Sequence, residues 1–414
     1  WLRLIHYKPN MFGSGVHSLV DDPKFFFAED GATNPKAELE ATIRAFFSDV
    51  PSLDDVQNPQ CGFPARYHWL DEKLHFDPAR LPVQPCERFQ TWSAALNPGG
   101  VTLIYPAAYL NNPASMFGHT LLRLDGVDQN EETRLLAYAA NYAAGTAERS
   151  GLAFAINGIF GGYRGLFSIA PYYKLVSKYS DLENRDIWEY ELDMTKAEQD
   201  QLVRHLWEVG STYFDYYFFD ENCSYHLLSW LEGVRPQLNL TDEFSLWVIP
   251  SDSVRVVADV PKLMTKAVYR PSSSTIIRER AKYLDDDEND LAVALAKGEI
   301  RADSEDVARL EPEQRARVLE LAFEYLSYLR LSGKAQGEDI PERGRLLLLE
   351  RSKLAVDLPL AQVPTPTVRP DQGHRTARWS LGYGRRGDQN FSEIEWRPAY
   401  HDLLDASGGY VIIL

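Results

Sequence analysis

The hydrophobic period changes along this chain, so neither an all-helical nor an all-strand reading fits it. Leu39, Ile43, Phe46 and Phe47 follow Pro35 at helical spacing, and Leu319, Ala322, Phe323 and Leu326 repeat that spacing far downstream. Between the two stripes, residues 101–105, 119–124 and 135–143 read as strands, with Asp125-Gly126 turning the second into the third. After Pro359, Pro364, Pro366 and Pro370 the period becomes two. Ala377, Trp379, Leu381 and Tyr383, then Ile394 and Trp396, alternate with polar residues. The pattern is that of an α+β protein in four parts: an α-rich cap at 1–94, a mixed domain at 95–260, a helical segment at 261–358, and a Pro-rich linker opening a β-domain at 359–414. At 414 residues, 44% of them hydrophobic, the chain can bury a large core.

Chemistry concentrates in the mixed domain. Leu227, Leu228 and Leu231 place Cys223 on the first turn of an amphipathic helix, with Asn222 as its N-cap. A thiol there is acidic, because unpaired N–H groups and the helix dipole favour the thiolate. Upstream, His119 follows Gly118 at a strand start. Asn141 shares a face with Ala137, Ala139 and Ala143 on the next strand, where it can fix the imidazole tautomer if His119 lies on the same side. Nucleophile, base and orienting amide is the logic of cysteine acyl transfer. His226, one turn beyond Cys223, is a rival base that its own helix makes harder to orient. The bland alternative is a buried, inert cysteine.

The chain holds three cysteines. Cys61 and Cys86 share a Pro-rich segment, and joining them closes a loop of about 26 residues worth about 3 kcal/mol. A disulfide implies an oxidising compartment, and two separate buried thiols are the alternative. With 43 basic against 60 acidic residues the formal charge is −17, which disfavours nucleic acid as a partner. No run approaches the roughly 18 to 20 apolar residues of a spanning helix. The first residues, from Trp1, lack signal-peptide architecture, so a leader is expected upstream.

The strand histidine followed by Asn-Cys at a helix start resembles the circularly permuted branch of the papain-like NlpC/P60 superfamily. More specifically, Asn111-Asn112-Pro113-Ala114-Ser115-Met116-Phe117-Gly118-His119-Thr120, Asn141-Tyr142-Ala143 and Asn222-Cys223-Ser224 resemble the periplasmic N-terminal domain of the Lnb lipoprotein N-acyltransferases, also known as DUF4105. The resemblance covers roughly residues 95 to 260. It implies a permuted papain-like core, Cys223 as nucleophile, His119 as base, a periplasmic location, and a lipid or lipoprotein acyl donor and acceptor. Asn141 as the third catalytic residue comes from the hairpin reading alone. Asn222, Ser115 and Tyr217 are the candidate substrate-binding residues. The chain departs from that family after the domain: it continues in helices and then strands, where the Lnb enzymes carry membrane-spanning segments. A hydrolase of lipid esters or cell-wall amides, or a binding module without catalysis, therefore stays open. No cofactor or metal is expected.

Other signals carry less. Six aromatics among residues 213–219 are either an acyl-chain pocket or a core strand. Gly158, Gly161, Gly162 and Gly165 mark a lid or an ordinary β connection. Thr195 and Glu198 have capping-box spacing. Asp285, Asp287 and Asn289 begin like a calcium loop, but Asp290 stands where glycine is needed, so they read as a solvated acidic turn. Gly382 to Gly387 matches a dinucleotide fingerprint with no helix after it. The terminal strands, with a third expected at Leu414, open either a soluble sheet or an outer-membrane-type barrel.

Overall fold

The computed structural model describes residues 1–10, 13–48, 57–107, 117–145, 156–244, 247–358, 363–397, 400–402 and 405–410. The chain divides into two compact units, one of residues 1–173, 189–267 and 368–414, the other of 174–188 and 268–367.

The first unit opens with a small antiparallel pair, β1 (Tyr7–Pro9) and β2 (Val16–Ser18), followed by α1 (Pro35–Phe46), α2 (Pro59–Gly62), α3 (Pro64–Leu74) and α4 (Glu87–Leu96). The segment around Cys61 is the short helix α2, because the Asn58 side chain accepts the Gln60 N–H and caps it. Cys61 and Cys86 form a disulfide, with Cα atoms 5.0 Å apart.

A seven-stranded sheet follows, built from β3 (Pro98–Pro106), β4 (Leu121–Gly126), β5 (Tyr138–Ala144), β6 (Tyr163–Pro171), β7 (Ile187–Leu192), β8 (Tyr213–Tyr216) and β9 (Met264–Arg270). Its order is β8-β6-β5-β4-β3-β7-β9. From β3 through β4, β5 and β6 to β8 every ladder is antiparallel, with Leu103 opposite Leu122 and Leu122 opposite Ala140. Residues 101–106 and 121–124 are buried without alternation, as befits central strands covered on both faces. Two expected strand starts move. His119 and Thr120 precede the β4 ladder, and residues 134–136 make a 3-10 turn before β5. The glycine-marked segment ends in β6, where burial alternates as in a half-buried strand and Gly165 breaks the hydrophobic pattern in the sequence. Edge strand β8 is covered by the N-terminal region: the Asp21 and Asp22 amides donate to the Tyr213 carbonyl, and the Asp215 amide donates to the Asp21 carboxylate.

Three helices complete this unit: α5 (Lys196–Val209), α6 (Cys223–Val234) and α7 (Pro250–Asp259). Thr195 and Glu198 close the capping box on α5. A buried polar chain then ties the N-terminal helices to α5 and α6. Arg66 pairs with Glu38 at 2.9 Å, and the Ala65 and Arg66 amides donate to Glu208 Oε1. Glu208 Oε2 lies 3.4 Å from His205 Nδ1, His205 Nε2 lies 2.9 Å from His6 Nε2, and His6 Nδ1 lies 2.7 Å from Ser229 Oγ on α6. Removing one member of a buried ion pair such as Arg66–Glu38 costs about 3 to 5 kcal/mol, because the other charge is left unpaired.

The unit's C-terminal stretch carries the hairpin β10 (Arg378–Arg386) and β11 (Gln389–Arg397), with Trp379 opposite Trp396 and Leu381 opposite Ile394. Among the described residues these two strands pair only with each other. The third strand expected at the terminus falls on residues 411–414, outside the described residues.

In the second unit α8 (Ser273–Ala281), α9 (Asp286–Lys297), α10 (Pro312–Leu331) and α11 (Ile340–Ser352) pack around Leu295, Val318, Leu319, Ala322, Leu326 and Leu347. The acidic turn expected at 285–289 is instead the start of α9. Asp285 and Glu288 form a capping box, and Asp286 and Asp287 sit at the positive end of the helix dipole.

Candidate functional site

The position of Cys223 is built by the cap of α6. Asn222 has extended backbone, and its Oδ1 accepts the Ser224 and Tyr225 N–H groups at 3.0 and 3.3 Å. Its Nδ2 donates to the Val248 and Phe218 carbonyls at 2.7 and 3.2 Å. The Asn222 side chain is thus spent on holding the helix start, which leaves nothing of it to meet a substrate. That cap also narrows the supply of anion donors. Two first-turn amides are taken, and the Cys223 N–H has no acceptor among the described residues.

The position of His119 is set by a glycine. Gly118 has φ of +103°, and a Cβ on it would fall 2.5 Å from the Tyr105 ring, so no other residue fits between β3 and the approach to β4. The chain then delivers His119, whose amide donates to the Pro106 carbonyl at 3.3 Å. His119 Nε2 lies 2.7 Å from Asn141 Oδ1 on β5. An amide oxygen can only accept, so Nε2 carries the proton and Nδ1 is the basic nitrogen left over. Thr120 and Ser224 share a hydrogen bond at 3.0 Å, which joins the start of β4 to the first turn of α6.

These pieces converge on sulfur. Burial opposes ionisation of Cys223, which is 2% exposed, yet its thiol is lowered to about 7. The His119 charge, a hydrogen bond with the His119 ring, the Thr120 backbone N–H and the Ser224 side chain outweigh the burial. Sequence reading had Cys223, His119 and Asn141; it missed the backbone of Thr120 and the hydroxyl of Ser224, both direct neighbours of those residues in the chain. Cys223 is the free cysteine of the chain.

His226 has a different setting. It packs 4.3 Å from the Tyr142 ring and 4.6 Å from the Phe214 ring, and neither of its ring nitrogens meets a hydrogen-bond partner of normal geometry among the described residues. Burial first, then the Lys8 cation, lower its imidazolium to about 3 against a weak pull from the Glu221 backbone. It is neutral at physiological pH.

Of the remaining candidates, Ser115 lies outside the described residues. Tyr217 covers Gly161, whose φ is +71° and whose added Cβ would meet the Tyr217 ring at 2.4 Å. In the aromatic run, Phe214 and Tyr216 are buried core residues of β8, while Phe219 is 47% exposed. A cavity of about 700 Å³ lies elsewhere in this unit, lined by residues that include Leu240, Phe244, Trp247, Arg255 and Arg375. Among the described residues one group has metal-ligand chemistry, His374, His401 and Asp405, with donor atoms within 4.8 Å. Arg378 and Arg397 both bind Asp405, so a dication there would meet two guanidinium groups.

Similarity to known families has the same geography. Residues 88–260 match the model of the Lnb N-terminal periplasmic domain, the stretch that contains Cys223, His119 and Asn141. Residues 1–73, 267–363 and 367–412 match three domains of unknown function, DUF7843, DUF7842 and DUF7840. No curated protein and no solved structure matches the chain. The matched domain is periplasmic, in keeping with the Cys61–Cys86 disulfide, and no helix among the described residues is long and apolar enough to cross a membrane.

Proposed function

We propose that this protein carries out cysteine-dependent acyl transfer on a lipid or lipoprotein substrate in the periplasm. The observation that carries the reading is the site as a unit: a buried thiol lowered to about 7 at a helix start, beside a histidine whose far nitrogen is held by Asn141. His119 takes the Cys223 proton, and the sulfur attacks the ester carbonyl of the donor. The Cys223 amide, which has no acceptor among the described residues, is available as a donor for the resulting oxyanion. The C–O bond then breaks, the leaving alcohol takes the proton back from His119, and an acyl-thioester remains. An amine attacks the thioester and gives a proton to His119, the C–S bond breaks, and the sulfur takes that proton back to restore the thiol. The Lnb match supports a lipoprotein amine as acceptor, and a permuted papain-like core belongs to the same proposal.

Water in place of the amine makes the same site a hydrolase, and the low exposure of Cys223 favours a third reading in which the domain binds without catalysis. One experiment separates them. The protein is incubated with mixed bacterial phospholipids and an amine-bearing lipopeptide, quenched in acid, and analysed by intact mass and product extraction. An acyl adduct on Cys223 with N-acylated lipopeptide supports transfer. An adduct with free fatty acid alone supports hydrolysis, and no adduct under any lipid mixture removes both.

The proposal extends to outer-membrane association through β10 and β11. Trp379, Leu381, Tyr383, Ile394 and Trp396 share one exposed face of the hairpin, and Leu381 is 84% exposed. An amphipathic surface of this kind suits the lipid–water interface. Co-sedimentation with phosphatidylethanolamine-rich vesicles, lost in Leu381→Asp/Ile394→Asp, is the expected result; vesicle binding that survives the double substitution removes this part.

A further inference from the structure

The first residues of the chain run along the nucleophile helix. Lys8 on β1 forms an ion pair with Glu221, His6 Nδ1 lies 2.7 Å from the Ser229 Oγ, and Arg3 bridges Glu232 at 3.1 Å and Asp242 at 2.7 Å. These contacts follow α6 from just before its cap to its last turn. The Lys8 contact is the one nearest Cys223 along the chain.

Glu221 lies two positions before Cys223, with its side chain only 13% exposed. The Lys8 ammonium that meets it also stands 5.7 Å over the Tyr225 ring, which places the cation against the first turn of α6. The surroundings are acidic: Asp220 and Asp21 both act on Glu221, and Glu221, Asp21, Tyr216 and Cys223 all act on Tyr142. His119 and Thr120 face the sulfur from the start of β4, and Ser224 faces it from α6 itself. A buried carboxylate two positions before Cys223, left unpaired, opposes a thiolate by like-charge repulsion. It would also lose the anchor of the turn at 220–222, where the Tyr217 amide donates to the Glu221 carbonyl and the Glu221 amide to Asp220 Oδ1.

We infer that Lys8 is a positioning residue of the thiol site: it neutralises Glu221 and fixes the turn that delivers Cys223. Its importance rests on the reading of Cys223 as a nucleophile, but its test does not. It also assigns a role to the N-terminal region, residues 1–73, which matches only a domain of unknown function.

Because Cys61 and Cys86 are joined, Cys223 is the one free thiol among the three cysteines, and its ionisation can be followed directly by thiolate absorbance against Cys223→Ser as the blank. The full chain, Glu221→Gln, Lys8→Met/Glu221→Gln and Lys8→Arg are titrated, with folding checked by near-ultraviolet circular dichroism. Glu221→Gln leaves the Lys8 cation uncompensated and should lower the thiol midpoint by about 0.5 to 1 pH unit. Adding Lys8→Met should bring the midpoint back up, and Lys8→Arg should match the parent. A folded Glu221→Gln protein whose midpoint is unchanged or raised overturns the inference, and this variant decides alone if the double variant does not fold. A shifted midpoint in a protein that forms no acyl adduct keeps the inference and refutes acyl transfer.

Discussion

Two histidines flank the same helix start, and they live in opposite worlds. His119 comes from the approach to β4, has one nitrogen held by Asn141 and leaves the other for the sulfur. His226 sits on α6 itself, nearer to Cys223 in sequence, yet its ring is sealed among Tyr142 and Phe214 with no normal partner for either nitrogen among the described residues. His226 shares the buried side of α6 with Cys223, and its ring is fixed there by packing against Tyr142 and Phe214. A residue on a neighbouring strand can be aimed. The contrast teaches that which histidine acts on the sulfur is set by what orients it, not by how close it lies in the chain.

The largest expected effect breaks the His119 side. His119→Ala should lower activity by about a hundredfold to ten-thousandfold near neutral pH, with partial recovery at higher pH where the thiol ionises unaided. Rates of adduct formation across pH check it, and full activity at neutrality would hand the role to another base. A smaller loss is expected for Asn141→Ala. Removing one oriented hydrogen bond to an imidazolium is worth about 1.5 to 3 kcal/mol, or roughly ten- to a hundredfold in rate.

The His226 side should move stability instead. Its pKa is lowered on folding to about 3, so below its ordinary value of 6.5 the unfolded chain binds a proton that the folded chain does not. Stability from this group is therefore complete above pH 6.5. It falls by about 1.4 kcal/mol for each pH unit as the pH drops from there toward 3. His6, whose imidazolium is also held well below its ordinary value by burial and then by His205, adds a loss of the same sign. His226→Phe should keep near-parental activity and flatten the acid limb in urea melts at stepped pH. An unchanged acid limb would mean that His226 is not buried neutral.

Much of the site was legible because its parts are local signals. The Leu227, Leu228 and Leu231 spacing located the helix, Asn222 its cap, and the alternation of Ala139, Asn141 and Ala143 the face that meets His119. The disulfide was legible from the spacing of Cys61 and Cys86 and from Cys223 standing apart. The hidden parts depend on contacts between distant segments. No local pattern links Lys8 to Glu221 or His6 to Ser229, and β6 was masked by glycines that make room for aromatic rings. The acidic run at 285–289 misled because a helix N-terminus and a solvated turn favour the same residues, and only the Asp285–Glu288 reciprocity separates them.

The central claim is that His119, and not His226, makes Cys223 a nucleophile, and thiolate titration tests it most directly. The parent protein should titrate near 7, His119→Ala should titrate clearly higher, and His226→Phe should stay with the parent. A His119→Ala protein that titrates with the parent, or a His226→Phe protein that moves upward in its place, would contradict the account.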